Sequence, residues 1–445
     1  SDVYKRQCHM PRSLQAMALP FLLASLAFLG IYLPAAFHGY GIFVDELYYL
    51  AATKRLAAGY VDHPPLSIWL LWPFSTGSLS TLRLVPALCA AGTIFLSTNF
   101  VRLRGGSLTG QVLTALATLG APVLLVLFGF YSMNAIEVFF LTALFYLAGE
   151  MIRLGKPFWI LFGILTGLAA LNKHTSVVYS MALLAGMLLT PARSLFLSRS
   201  LFGGLLCALL IVLPNLIWQW QNDLASLLFY RNATAFKNLS TPPHMVLINQ
   251  VLAAGPQSVI LWLSGLFFLW RSPLRCLPIA YGICLALLIA AMSSRPDRIA
   301  AFYPLLFAAG ALSLESRPRL RLALLTLVSL GFLVFAPIAL PILPADHTAR
   351  YATALGVVPS IEKGRAGALP QWFADRLGWP ELSRRIGLLH QAMPADTVVL
   401  AGNYGIAGAL EHFTNLPVVS PHNAYHDWAR PELLQTRSIL LIGAD

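Results

Sequence analysis

The chain has 445 residues, of which 58% are hydrophobic and 11% charged, and a formal net charge of +12. Soluble domains carry roughly 25% charged residues, so this composition excludes an ordinary water-soluble enzyme and points to lipid. The positive balance does not indicate nucleic acid, because the Lys and Arg residues are scattered singly between apolar runs and form no patch with interleaved stacking aromatics.

Residues 1–13 read as a polar cytoplasmic or disordered segment that takes no part in the fold. From Leu14 onward, apolar runs recur that are long enough to cross a hydrocarbon core of about 30 Å. Eleven spans are expected, near 14–37, 82–101, 108–129, 134–152, 157–172, 174–190, 200–217, 257–270, 276–292, 299–314 and 321–343. The first lacks an Ala-x-Ala cleavage pattern and is read as an anchor. Four of the five cysteines lie inside apolar runs without metal-ligand spacing.

Lys and Arg residues collect in alternate loops, from Arg12 through Arg102 and Arg104, Arg153, Arg193, Arg271 and Arg275 to Arg317 and Arg319. The positive-inside rule makes that side cytoplasmic and puts everything after Pro344 outside. Two long outer connections are expected, about 38–81 and 218–256. After Pro344 the composition becomes that of a soluble domain, 344–445, with strands at Thr397–Ala401 and Ser438–Ile442 and an amphipathic helix at Trp379–Met393. The chain stops directly after a strand, as a truncated sequence would. The fold class expected is an all-α polytopic membrane protein, spans within 14–343, with a small C-terminal α/β domain.

The acidic and aromatic residues gather on the outer side. Asp45 and Glu46 open an interfacial helix, where acids also serve as ordinary caps against the helix dipole. Asp62 and His63 precede Pro64-Pro65. Glu137 lies one turn into the fourth span, just after Asn134; a carboxylate there is costly unless paired or facing water, so it marks function or an interhelical bond. Lys173 and His174 break two apolar runs and suit an anionic headgroup or a snorkelling anchor. Arg295 and Arg298 offer guanidinium forks to a phosphate, with Asp297 as the ordinary partner for either. Arg231 and His244 are weaker phosphate or metal candidates, and Trp218 and Trp220 fit an aromatic belt. His422 and His426 have helical ligand spacing, but Pro421 and Asn423 argue for a loop.

Several of these stretches together resemble a known family. They are Asp45-Glu46-Leu47-Tyr48-Tyr49-Leu50-Ala51, Tyr60-Val61-Asp62-His63-Pro64-Pro65-Leu66, Met133-Asn134 with Glu137, Asn172-Lys173-His174-Thr175, Pro214-Asn215-Leu216-Ile217-Trp218-Gln219, Asn403-Tyr404-Gly405 and His422-Asn423. The chain is similar to bacterial family-39-type glycosyltransferases, relatives of the dolichyl-phosphate-mannose–protein mannosyltransferases and aminoarabinose transferases with the GT-C fold. The resemblance implies transfer of a hexose or pentose from a polyprenyl-phosphate carrier to an acceptor at the outer face of the bacterial cytoplasmic membrane. It implies no organic cofactor. It makes Asp45 the candidate base, with Glu46 and Glu137 as further catalytic acids. Asp62 and His63 occupy the pair before Pro-Pro that handles metal or phosphate, and His63 stands where aminoarabinose transferases carry lysine.

The expected chemistry is inverting displacement at the anomeric carbon. A carboxylate deprotonates the acceptor while Lys173, Arg295, Arg298 or a divalent cation held by Asp62 or Glu137 neutralises the leaving phosphate. A multi-span transporter or lipid flippase is the rival reading, since it too has many spans and buried charges. It lacks support from any internal repeat of broken helices.

Overall fold

A computed structural model describes residues 12–75, 77–233, 240–292, 295–356, 367–429 and 438–443. The polar segment before Arg12, and Ser293 and Ser294 of the last outer connection, lie outside these residues.

Every expected span is helical. The chain runs through α1 (Arg12–Phe37), then α2 (Val44–Thr53) and α3 (Leu66–Leu71) in the first outer connection, and on to α4 (Leu79–Leu103). It continues with α5 (Leu108–Leu119), α6 (Pro122–Phe128), α7 (Met133–Leu154), α8 (Trp159–Asn172), α9 (Thr175–Leu188) and α10 (Ser200–Gln221). The second outer connection holds α11 (Ala225–Asn232) and α12 (Pro243–Ala254), followed by α13 (Val259–Trp270), α14 (Cys276–Ala290), α15 (Tyr303–Ser313) and α16 (Pro318–Ala339).

Length and composition qualify fewer than eleven spans. Among the described residues five single helices are long and apolar enough to cross a membrane, and three bent pairs bring the number to eight. The remaining expected spans are the short helices α8, α14 and α15. The reason is enclosure: Tyr303 to Leu312 of α15 are all buried by neighbouring helices, so that segment need not match the thickness of lipid by itself. By contrast, α10 shows lipid a row of leucines, Leu205, Leu206, Leu209, Leu210 and Leu213.

The bends have local causes. Between α5 and α6 the axis turns by 70° at Gly120 and Pro122, and between α12 and the segment Pro256–Trp270 by 87°. Proline removes a helical donor at each break and orphans a carbonyl. Gln257 at the second bend donates to the Gly120 carbonyl at the first, 2.8 Å away, so one break satisfies the other. Elsewhere small residues let helices touch: a Cβ on Gly163 of α8 would lie 1.9 Å from the Gly204 carbonyl oxygen of α10.

The C-terminal region forms the expected α/β layer. It comprises α17 (Ala345–Ala354), α18 (Gln371–Ala374), α19 (Trp379–Gln391), β1 (Thr397–Ala401), α20 (Tyr404–Phe413), β2 (Val418–Val419), α21 (Tyr425–Trp428) and β3 (Ser438–Ile442). The three strands are parallel in the order β2-β1-β3, with Val399 opposite Val418 and Leu440. A βα unit puts helices on the sheet face, and α20 uses that position to pack directly on α2 of the first outer connection.

Candidate functional site

The two acids that open α2 face different partners. Glu46 is fully buried and its carboxylate accepts from the Phe43 N–H at 2.7 Å, the Tyr131 N–H at 2.6 Å and the guanidinium of Arg83. The first of these caps the helix; the last is an ion pair whose two side chains have no exposure. Asp45, one residue earlier, is half-buried and turns toward the C-terminal domain, where the Tyr404 hydroxyl donates to it at 2.7 Å.

The segment before Pro64 folds back beneath α2. Tyr60 N–H donates to the His63 carbonyl at 3.0 Å, closing a turn that brings Asp62 against Tyr48, whose hydroxyl donates to Asp62 at 2.7 Å. Burial, and then the Asp62 charge, hold the Tyr48 hydroxyl well above its usual pKa, so it remains a donor. Asn423 of the C-terminal domain approaches the other Asp62 oxygen at 3.4 Å. His63 is fully enclosed by the rings of Tyr49, Tyr60 and Tyr48, at 5.0, 5.1 and 6.0 Å. Its Nδ1 meets the Pro64 carbonyl at 2.9 Å.

A second cluster forms where α7, α8 and α9 meet. Ser132 caps α7 and sets Glu137 one turn inside it. Lys173 has extended backbone at the break between α8 and α9, which swings its ammonium to Glu137 at 2.5 Å and to the Asn134 side-chain Oδ1 at 2.8 Å. Thr175 and Ser176 donate to the other Glu137 oxygen at 2.8 and 3.2 Å. Glu137 is therefore neutralised and anchored from three sides, as a carboxylate at that depth requires. His174 bridges Asn215 at 2.9 Å and the Tyr230 hydroxyl at 3.0 Å.

Tyr230 joins the two clusters. Burial raises its hydroxyl pKa, and the charges of both Asp62 and Glu137 raise it further. The outer helix junction closes the other end. Arg295 forks onto Asp297 at 3.0 and 3.2 Å. Burial would lift the Asp297 pKa, but the charge and hydrogen bonds of Arg295, with the charges of Lys173 and Arg298, bring it down to about 2. The Arg298 carbonyl accepts from Tyr179, and its half-buried guanidinium has no hydrogen-bonding or ion-pair partner among the described residues. Of the two guanidiniums expected to face phosphate, then, Arg295 is engaged by Asp297.

Arg231 and His244 are exposed on α11 and α12. Trp220 is 84% exposed, as an aromatic belt requires, whereas Trp218 lies against Gly59. His422 lies outside the short helix α21 that carries His426. Among the described residues no group of three or more His, Cys, Asp or Glu side chains is placed to hold a metal ion. Asp62 and Glu137 accept the hydrogen bonds named above.

Residues that sequence reasoning passed over complete the site. Arg83 had a visible signal, a lone charge inside an apolar run. Tyr48 lay within the Asp45–Ala51 stretch without a role of its own, and Tyr230 had no signal, because aromatics at a membrane boundary are common. Arg376 is fully buried between the rings of Phe130 and Phe373, at 5.4 and 5.5 Å, with none of its guanidinium nitrogens hydrogen-bonded among the described residues.

The bundle draws its polar groups to one end beneath a small α/β domain. Residues 62–218 match the family model described as dolichyl-phosphate-mannose-protein mannosyltransferase. Two solved structures share the architecture. ArnT from Cupriavidus metallidurans bound to undecaprenyl phosphate superposes with a TM-score of 0.62 at 16% identity, over 90% of this chain and 85% of that one. The same protein in the apo state gives 0.61 at 16% identity, over 90% and 84%. Among curated proteins none matches the sequence. Residues 62–218 thus match a model of the family to which the motifs pointed, and the chain shares its architecture with the two ArnT structures.

Proposed function

We propose that the protein is a membrane glycosyltransferase that moves a hexose or pentose from a polyprenyl-phosphate donor to an acceptor hydroxyl. The setting is the outer face of a bacterial cytoplasmic membrane, with the C-terminal domain outside. One observation carries this reading. On a GT-C fold, two loop carboxylates, Asp45 and Asp62, share one end of the bundle with the cations Lys173 and Arg298. A lipid phosphate must stay at the membrane boundary while its sugar reaches water, and such a donor needs acids on the sugar side and cations on the phosphate side.

The residues have distinct tasks in the step. Asp45 takes the proton of the acceptor hydroxyl as its oxygen attacks the anomeric carbon. The bond from that carbon to the phosphate oxygen breaks, its electron pair leaves on the lipid phosphate, and the configuration inverts. Arg298 and Lys173 neutralise the departing charge. Glu137 holds Lys173 in place, and Glu46 with Arg83 anchors the start of α2. Among the described residues no three side chains cage a divalent cation.

The test is a donor-consumption assay with purified protein in detergent, using polyprenyl-phosphate pentoses and hexoses. Release of polyprenyl phosphate with formation of an inverted glycoside supports the reading. Acceleration of donor movement across vesicles without cleavage would establish a flippase instead.

A further inference from the structure

The C-terminal domain does more than cover the bundle, because its polar groups land on the two carboxylates of the first outer connection. Asn403 caps α20, its side chain accepting from the Ile406 N–H at 3.0 Å, which places Tyr404 in the first turn of that helix. From there the Tyr404 hydroxyl reaches Asp45 at 2.7 Å, across 359 residues of sequence. Asn423 holds a left-handed backbone, φ +54°, and offers its amide to Asp62 at 3.4 Å. The next residue, Ala424, donates its N–H at 3.3 Å to the Tyr48 hydroxyl that itself bonds Asp62.

The docking that delivers these groups is close. A Cβ on Gly408 of α20 would lie 3.0 Å from the Leu47 carbonyl carbon, so a side chain there would push α20 back from α2. A latch at the far end of α2 fixes the same approach. Glu411 accepts from Arg55 at 2.8 Å and from Tyr425 at 3.0 Å, and Arg55 lies over the Trp428 ring at 4.9 Å. Apolar contact alone would attach a domain. Two donors aimed at two carboxylates, one from an asparagine in a backbone region that most residues avoid, do something more specific.

We propose that the outer domain completes the reaction centre, with Tyr404 and Asn423 as positioning residues that fix the carboxylates of Asp45 and Asp62. The assignment rests on the glycosyl-transfer reading above. A half-buried Asp explores several rotamers, and a base contributes only when it reaches the acceptor proton. A phenol at 2.7 Å selects one rotamer of Asp45. Nothing in this role touches the lipid phosphate, which the transferase reading assigns to Lys173 and Arg298.

Two variants remove the donors and spare the packing. Tyr404→Phe keeps the ring, and Asn423→Gly keeps the left-handed backbone. Each should lower kcat about tenfold or more at saturating donor, while donor KM stays within about twofold and the melting temperature in detergent holds. In an Asp45→Asn background, Tyr404→Phe should cost nothing further, because residues acting through one group are not additive. A contact that is merely structural would lower the melting temperature and would multiply with Asp45→Asn. Normal kcat in both variants, or full multiplication with Asp45→Asn, overturns this assignment alone. Absence of donor consumption by the unaltered protein overturns the transferase reading and this assignment with it.

Discussion

Asp45 and Glu46 are neighbours of the same chemical type, and the structure predicts opposite consequences for removing each charge. Glu46→Gln strikes a carboxylate with no exposure that accepts two backbone N–H groups and the fully buried Arg83. Breaking a buried pair from one side costs about 3–5 kcal/mol, because the remaining charge has lost its counter-ion. Here the loss is compounded by Arg376. Burial and the charge of Arg83 already pull its pKa down to about 9, and Glu46 is the charge that opposes this. Glu46→Gln should therefore lower the melting temperature of the detergent-solubilised protein by several degrees. Asp45→Asn alters a half-buried side chain bonded to a tyrosine hydroxyl, so it should melt normally while turnover falls by about 10²–10⁴, the usual worth of a general base. A paired substitution separates charge from shape: Glu46→Leu with Arg83→Met exchanges the ion pair for apolar groups and should recover part of the lost stability. Thermal unfolding and donor turnover measured on the same preparations decide the matter. A stable Glu46→Gln together with an active Asp45→Asn would refute the division of labour drawn here and move the base to Glu137.

Three further outcomes follow from the site. Arg298→Ala should weaken donor binding about ten- to a hundredfold, the worth of one charge-assisted contact, and should do so more than Arg295→Ala, whose fork is occupied by Asp297; direct titration of donor binding gives the comparison. Asp297, with a pKa of about 2 against 3.8 unfolded, contributes about 2 kcal/mol that is present above pH ~3.8 and lost as pH falls through about 2. Asp297→Asn should flatten that acid limb of the stability curve; an unaltered limb means that another group produces it. For topology, a cysteine replacing Arg385, which is exposed on α19, should react with a membrane-impermeant reagent in intact cells. Labelling only by permeant reagents would invert the orientation.

The sequence carried the helices because an apolar run has a length, and length compared with lipid thickness is a local property. It carried the strand at Thr397–Ala401 and the capping role of Glu46 for the same reason, since a short buried strand and an acid three positions from a helix start are read within a few residues. It also marked the acids and cations of the outer loops, which stand out against an apolar background. What it did not carry is which of them meet. The Lys173–Glu137 contact spans 36 residues and depends on an extended residue between two helices. Arg295 and not Arg298 takes Asp297, a choice between neighbours that only the turn of the 3-10 segment at Pro296–Phe302 makes.

The sequence by itself determined a polytopic helical bundle, a small C-terminal α/β domain and the set of side chains from which a polar site is built, because hydrophobic length and charge placement act along the chain. Only the tertiary structure decided that Asp45 looks outward to Tyr404 while Glu46 looks inward to Arg83, and that Asp62 lies between Tyr48 and Asn423. Successive residues on a helix point about 100° apart, so the helix start alone gives two acids with different outlooks. Which outlook meets a buried arginine and which a tyrosine is set by helices 37 and 359 residues away in the chain.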